Sequence, residues 1–459
     1  MPRFLAAQPV TQLITLPWPT PLEDWPEDNL VALPRGISRH VVRFVRCGKE
    51  VFAVKEVLEH LALHEYRLLR DLGRLEVPSV EAIGVVTNRV DTDGEPLDPI
   101  LITRHLQFSL PYRSLFSRGV RQDTVNRLVD AMVVLLARLH LIGFLWGDVS
   151  LSNTLFRRDA GAFAAYLVDA ETGELHDQLT NGQREHDLTI ARTNLYGEFS
   201  DLEAGGLLDE ALDPLVLVET IESRYRELWA ELTDVEEFDR GEMHRIEGRV
   251  RRLNALGFDV AELDITTDFA GSTVRIQPKV VDAGHHQRRL IRLTGLDTEE
   301  NQARRLLNDL DYFRARTDQQ GADEQVVAHQ WLTKMFEPVV QSVPSDLRAK
   351  LEPAELYHEV LEHRWFLSEQ AQAEMSITDA AHSYMDDVLH RLPDEEVALS
   401  AMESMGPLAN PYDPSQGFAD EQYEKPYDPW EDADEAPDAD EAPATEFLDI
   451  AALRAKAKR

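Results

Sequence analysis

Leu145-Trp146-Gly147-Asp148-Val149-Ser150-Leu151-Ser152-Asn153-Thr154-Leu155-Phe156 decides the reading of this chain. An aspartate and an asparagine stand five residues apart in a short polar loop. Before the loop lies a long apolar stretch, 128–144. After it comes a β-like run, 163–168, that ends at a second aspartate, Asp169. Turns are rich in Asp, Ser and Asn because these side chains bond their own backbone, and the loop alone is compatible with that. Phosphoryl transfer requires the same set for another reason. One carboxylate orients the attacking hydroxyl, an amide oxygen helps to hold magnesium, and a second carboxylate ties magnesium to the phosphates.

Working upstream, 40–46 reads as a strand, 47–50 as a turn and 51–55 as a second strand. Leu58, Leu61, Ala62, Glu65, Leu68, Leu69 and Leu72 then recur at helical spacing, and Gly73 is an end signal. Two further strands are expected at 78–86 and 99–103. Lys55 closes an apolar strand, where a lysine is ordinarily solvated at the rim; the alternative is a phosphate-binding lysine. Glu65 falls on the apolar face of its helix, and an unpaired carboxylate there is costly, so it needs a partner. Lys55 is the natural one. A strand lysine, a helix glutamate, Asp-x₄-Asn and a strand-end aspartate in this order are hard to assemble by chance.

On these residues the stretch from about 35 to 200 resembles the protein-kinase-like superfamily. Val54-Lys55 resembles the ATP-site lysine, and Glu65 in His64-Glu65-Tyr66-Arg67-Leu68-Leu69 its ion-pair partner. Residues 146–155 resemble the catalytic loop, and Leu167-Val168-Asp169 the metal-binding strand end. The form Gly-Asp-x-Ser-x-x-Asn is closer to RIO kinases and lipopolysaccharide-core sugar kinases than to ordinary protein kinases. Those usually carry a lysine two residues after the aspartate, where this chain has Ser150. Together with its helical second half, the chain is also similar to an uncharacterised bacterial family. The N-terminal region of that family is lipopolysaccharide-kinase-like, and its C-terminal domain has no assigned function.

The resemblance implies ATP and Mg²⁺ as cofactors. It makes Asp148 the catalytic residue, with Asn153 and Asp169 as metal ligands and Lys55 with Glu65 on the phosphates. Ser38, Arg39 and His40 stand where a glycine-rich loop would cover the nucleotide, and their backbone N–H groups are expected to cap phosphates. Residues 102–106, with Arg104 and His105, are expected to form the hinge that reads the adenine edge. Asp169 is followed by Ala170-Glu171 rather than Phe-Gly, and no Ala-Pro-Glu motif is found. Asp187 has two readings, an anchor beneath the catalytic loop or a helix N-cap.

Beyond 205 the chain reads as mostly helical, with helices at 214–232, 242–256, 299–317, 323–340, 352–374 and 377–392 and short strands at 258–265 and 273–281. Lys279, His285, His286, Arg288, Arg289 and Arg292 form a basic cluster in an acidic chain. It is read as a solvated face or, alternatively, as an anion contact. As a metal pair His285-His286 is disfavoured, because neighbours on a strand point to opposite faces.

At 459 residues, two domains and a tail are the prior. The expectation is an α+β chain with a proline-rich arm at 1–34 and a two-lobed kinase-like domain at 35–204. A helical domain at 205–402 and a disordered acidic tail at 403–459 follow. The tail repeats Asp-Ala-Asp-Glu-Ala-Pro at 432–437 as Asp-Ala-Asp-Glu-Ala-Pro at 438–443, and such composition buries too little apolar surface to fold. A short helix at 446–459 is the exception.

The formal net charge is −36, and the body is acidic without its tail, which argues against nucleic acid as a partner. The single Cys47 excludes a disulfide framework and points to a cytoplasmic setting. The best membrane-span candidate, 128–146, contains Asp130, Arg138 and His140 and reads as a buried helix. The partners expected are ATP and a hydroxyl acceptor of open identity: sugar, lipid headgroup, small metabolite or protein. The rival reading is a nucleotide-binding pseudokinase or regulatory scaffold.

Overall fold

Residues 41–47 and 50–56 are rich in Val and Phe, flank a Gly48 turn with positive φ, and pair as a hairpin. In the computed structural model this hairpin forms one edge of a five-stranded antiparallel sheet. Its order is Arg3–Ala6, Ala82–Thr87, Ile100–Arg104, Glu50–Glu56, Val41–Cys47. The structure describes residues 2–6, 11–31, 40–48, 50–116, 122–234, 236–239, 248–249, 253, 256–267 and 273–392. For the strands at 236–239 and 259–283 only the backbone is described. The expected tail at 403–459 and most of the expected helix at 242–256 lie outside these residues.

The proline-rich arm does more than approach the sheet. Arg3–Ala6 adds an edge strand, and Leu13, Leu16, Trp18, Leu22 and Trp25 share one apolar cluster with Val45, Phe52, Val54, Val86, Ile100 and Ile102. Arg89, fully buried, secures the arm from beneath. Its guanidinium donates to the carbonyls of Trp18 at 3.0 Å and Thr20 at 2.6 Å and pairs with Glu56 at 2.5 Å. A buried guanidinium is tolerated only with such partners.

The helix Glu59–Arg74 packs on the same sheet by a face of Ala62, Tyr66, Leu68, Leu69 and Leu72. Glu65 lies in that buried face. The apolar stretch around 128–144 forms the helix Gln122–Leu141, and no described helix is long and apolar enough to cross a membrane. Gly143, with positive φ, turns the chain into the strand Phe144–Leu145, which pairs with Glu174–Leu175. The quoted loop then leads into Thr154–Asp159, paired with Ala162–Leu167. Leu167 bonds the segment 78–80 on both sides, which ties this second sheet to the first: Val80 N–H to Leu167 O at 3.0 Å and Leu167 N–H to Pro78 O at 3.1 Å.

The rest of the described chain is mainly helical, around a core containing Leu290, Leu306, Trp331, Tyr357 and Tyr384. The helix expected over 323–340 is continuous but widens at Leu332–Phe336 into a π turn between Glu324–Trp331 and Glu337–Ser342. Pro338 has no N–H to give to the preceding turn, and a local widening absorbs the defect. His285–Thr294 is a helix begun at Gly284, not a strand, so the argument that His285 and His286 point apart does not hold. Their rings meet edge to face at 5.0 Å, and His286 Nδ1 is 2.6 Å from Glu300. The fold is therefore α+β: a β-rich lobe first, helices after it.

Candidate functional site

Lys55 follows Val54 on a strand whose alternation turns Val54 into the arm-side core and Lys55 to the opposite face, toward the helix bearing Glu65. Its ammonium lies 3.1 Å from Glu65 Oε2 and 2.9 Å from Asp169 Oδ2, joining positions 114 residues apart. A third carboxylate, Glu171, also lies 2.9 Å from the ammonium. His40 Nε2 stands 3.0 Å from that Glu171 oxygen, so His40 reaches the cluster. Ser38 and Arg39, expected beside it, lie outside the described residues.

Three carboxylates around one ammonium leave surplus negative charge. Burial opposes charge on Lys55, but the nearby Glu65 and Asp169 outweigh it and hold its pKa above the usual lysine value. Burial pushes Glu65 up to about 8, helped by the charge on Asp169 and opposed by Lys55. Glu65 is the most enclosed of the three and tolerates the surplus least. Carboxylate oxygens of Glu65, Asp169 and Glu171 lie within 4.8 Å of one another, a donor set suited to a hard divalent cation.

Asp148 and Asn153 face each other across the loop. Asn153 Nδ2 is 3.0 Å from Asp148 Oδ2 and 3.0 Å from the Asp148 carbonyl. Both partners are acceptors, so the amide must present its NH₂ there, and its Oδ1 is turned to other use. Trp146, fully buried, donates its indole N–H to the Asp169 carbonyl at 3.2 Å, and Val168 N–H donates to Asn153 O at 3.0 Å. These bonds couple the loop to the strand end that carries Asp169. Gly147 has φ +76°, and a Cβ there would sit 2.9 Å from the Thr172 carbonyl oxygen, so glycine is required by both conformation and space.

The helix Asn181–Ala204 holds the loop from below. Asp187, fully buried, accepts from Trp146 N–H at 2.7 Å and Gly147 N–H at 2.8 Å. It therefore anchors the loop rather than capping a helix; the cap is Thr180. His140 bridges Asp187 at 3.1 Å and Tyr225 at 2.5 Å, and burial lowers its pKa despite the Asp187 charge. Glu198 accepts from Leu151 N–H at 2.7 Å, Ser152 N–H at 2.8 Å and Ser152 Oγ at 2.5 Å.

Within the expected hinge, Arg104 and His105 have their N–H groups engaged. Arg104 pairs with Glu50 and, at 2.6 Å, with Glu81, and its N–H donates to Glu81 O at 2.8 Å. The His105 ring packs against Phe44, and its N–H donates to Val51 O at 2.9 Å. Neither N–H is open to a purine edge.

Sequence reasoning passed over Glu171, Glu198 and Asn194. Glu171 stands where a phenylalanine-glycine pair was sought. Glu198 and Asn194 follow Asp187 by eleven and seven residues, spacings that share one helical face, and that was the available signal.

A family model described as a domain of unknown function, DUF4032, matches residues 227–389. Among curated proteins the chain has no match. Among solved structures it is similar to one described as WaaP in complex with acyl carrier protein. The identity is 17% and the TM-score 0.32, over 55% of this chain and 99% of that one. Similarity at that level assigns no residue and no activity.

Proposed function

We propose that this chain transfers a phosphoryl group from ATP to a hydroxyl of an acceptor. One observation carries the reading: Lys55 bridges Glu65 and Asp169, while the strand end bearing Asp169 is bonded to the loop bearing Asp148 and Asn153. Phosphoryl transfer is mostly positioning and charge stabilisation, and these are the groups it uses.

Lys55 grips the phosphates, and Glu65 keeps it extended toward them. Asp169, Glu171 and the Oδ1 of Asn153 are the residues to hold magnesium, whose chemistry is to neutralise charge on the transferring phosphoryl group. Asp148 orients the acceptor O–H and takes its proton as the acceptor oxygen bonds to phosphorus. The bond from the γ-phosphorus to the bridging oxygen breaks, and ADP leaves with that electron pair. With the N–H groups of Arg104 and His105 engaged, Leu106 is the hinge residue proposed to read the base.

The test of the nucleotide reading is a melting curve with and without millimolar MgATP. A ligand that binds only the folded state raises its stability by mass action, about 2.7 kcal/mol at a hundredfold excess over Kd. A clear upward shift that shrinks in Lys55→Met is expected. An unchanged melt at millimolar MgATP contradicts the reading.

A further inference from the structure

We propose that Asn194 is a positioning residue that fixes the Asp148 carboxylate for proton transfer. The proposal rests on the phosphotransfer reading above for the meaning of Asp148. Asn194 Nδ2 lies 2.9 Å from Asp148 Oδ1 and 3.2 Å from the Val149 carbonyl. Both partners accept only, which orients the amide with its NH₂ toward the loop. On the far side, Asn153 Nδ2 holds the other carboxylate oxygen at 3.0 Å. The carboxylate is thus clasped between two amides, one from its own loop and one from the helix Asn181–Ala204.

That helix also holds the loop backbone. Asp187 takes the N–H groups of Trp146 and Gly147, before Asp148, and Glu198 takes those of Leu151 and Ser152, after it. The loop backbone is therefore gripped on both sides of Asp148 by carboxylates. Asn194, between them on the same face, reaches the Asp148 side chain as well as the Val149 carbonyl. Ser150 occupies the position at which ordinary protein kinases carry a loop lysine, and its Oγ accepts from Asn153 N–H at 3.2 Å, within the loop. The charge-assisted bond from Asn194 supplies orientation from another element.

The experiment uses the full chain and measures magnesium-dependent ATP turnover into water, MgATP affinity and melting temperature. Asn194→Leu keeps the approximate shape and removes the donor. It is expected to lower kcat about tenfold or more, the size of one hydrogen bond to a charged group, with MgATP affinity and melting temperature near the parent. Asn194→Asp sets carboxylate against carboxylate and is expected to be worse, whereas Asn194→Gln keeps an amide and recovers part of the loss. In an Asp148→Asn background, Asn194→Leu should cost nothing further, because it acts through Asp148. An unchanged kcat, a further loss in the Asp148→Asn background, or a fall in MgATP affinity that accounts for the loss would each overturn the proposal. A parent that turns over no ATP refutes the phosphotransfer reading instead. In that case a crystal structure of Asn194→Leu decides the positioning: the Asp148 carboxylate is expected to leave its place on an unmoved loop backbone, and a carboxylate that stays put overturns it.

Discussion

A lysine and a glutamate that each look ordinary in sequence become unusual once their surroundings are known. Lys55 and Glu65 were legible as a pair because a glutamate on the apolar face of a helix has few ways to be satisfied. Glu171 was not legible, since nothing local announces that residue 171 returns to residue 55; only the fold brings them to 2.9 Å. His105 was read as a hinge residue, but its N–H is engaged and its half-buried ring packs against Phe44. Burial lowers its pKa to about 4. The sign follows from the ordinary histidine value of about 6.5 in the unfolded chain. The unfolded state binds the proton first, so the contribution of His105 is present above about pH 6.5 and is lost as pH falls toward about 4. Urea titrations of the parent and His105→Gln should show the parent losing ground as pH drops from about 7 to about 4.5, by on the order of 2 kcal/mol. A difference that stays flat with pH would contradict this.

Helix Asn181–Ala204 is the element on which the loop depends. The possible anchoring role of Asp187 was readable, but the extent of the helix was not read, and Asn194 and Glu198 were not singled out, because polar residues on a helix are more often solvated. The distinction lies in burial: Asp187 is fully enclosed, with two backbone donors and His140 as partners. Asp187→Ala would leave the Trp146 and Gly147 N–H groups without their acceptor, at a cost of roughly 3 kcal/mol. Chemical denaturation measures this, and a loss under about 0.5 kcal/mol, typical of a surface change, would contradict the anchor. Lys55→Met removes the counter-charge of an enclosed carboxylate and is expected to lower the melting temperature as well as weaken MgATP binding. The proline-rich arm illustrates what periodicity misses. Residues 11–25 have little of it, yet Trp18 and Trp25 are deeply buried because the sheet offers an uncovered apolar face.

For the whole molecule, the helical part packs against the Thr154–Asp159 and Ala162–Leu167 hairpin through buried polar groups. Arg157 pairs with Glu299 at 2.8 Å and Glu352 at 2.7 Å, and Tyr166 donates to Glu299 at 2.7 Å. Asp159 accepts from the N–H groups of Asn301 at 3.2 Å and Gln302 at 2.7 Å. None of this was visible in sequence, since each residue is polar and its partner lies more than 130 positions away. The hairpin directly follows the loop bearing Asp148 and Asn153, so the contact joins the region matched by the family model to the candidate site. Arg157→Ala would strand two enclosed carboxylates and is expected to cost roughly 3 kcal/mol. Arg157→Ala combined with Glu299→Gln and Glu352→Gln should recover much of that loss. An additive triple variant would show that the three residues are not one unit.

The central claim is that Asp148 serves chemistry and not nucleotide binding. It is tested most directly by measuring magnesium-dependent ATP turnover and MgATP affinity side by side in the parent and Asp148→Asn. The account predicts measurable turnover in the parent, a loss of at least about a hundredfold in Asp148→Asn, the lower range for removing a general base, and an unchanged affinity. Equal turnover in the two proteins, or none in a parent that binds MgATP, would contradict it.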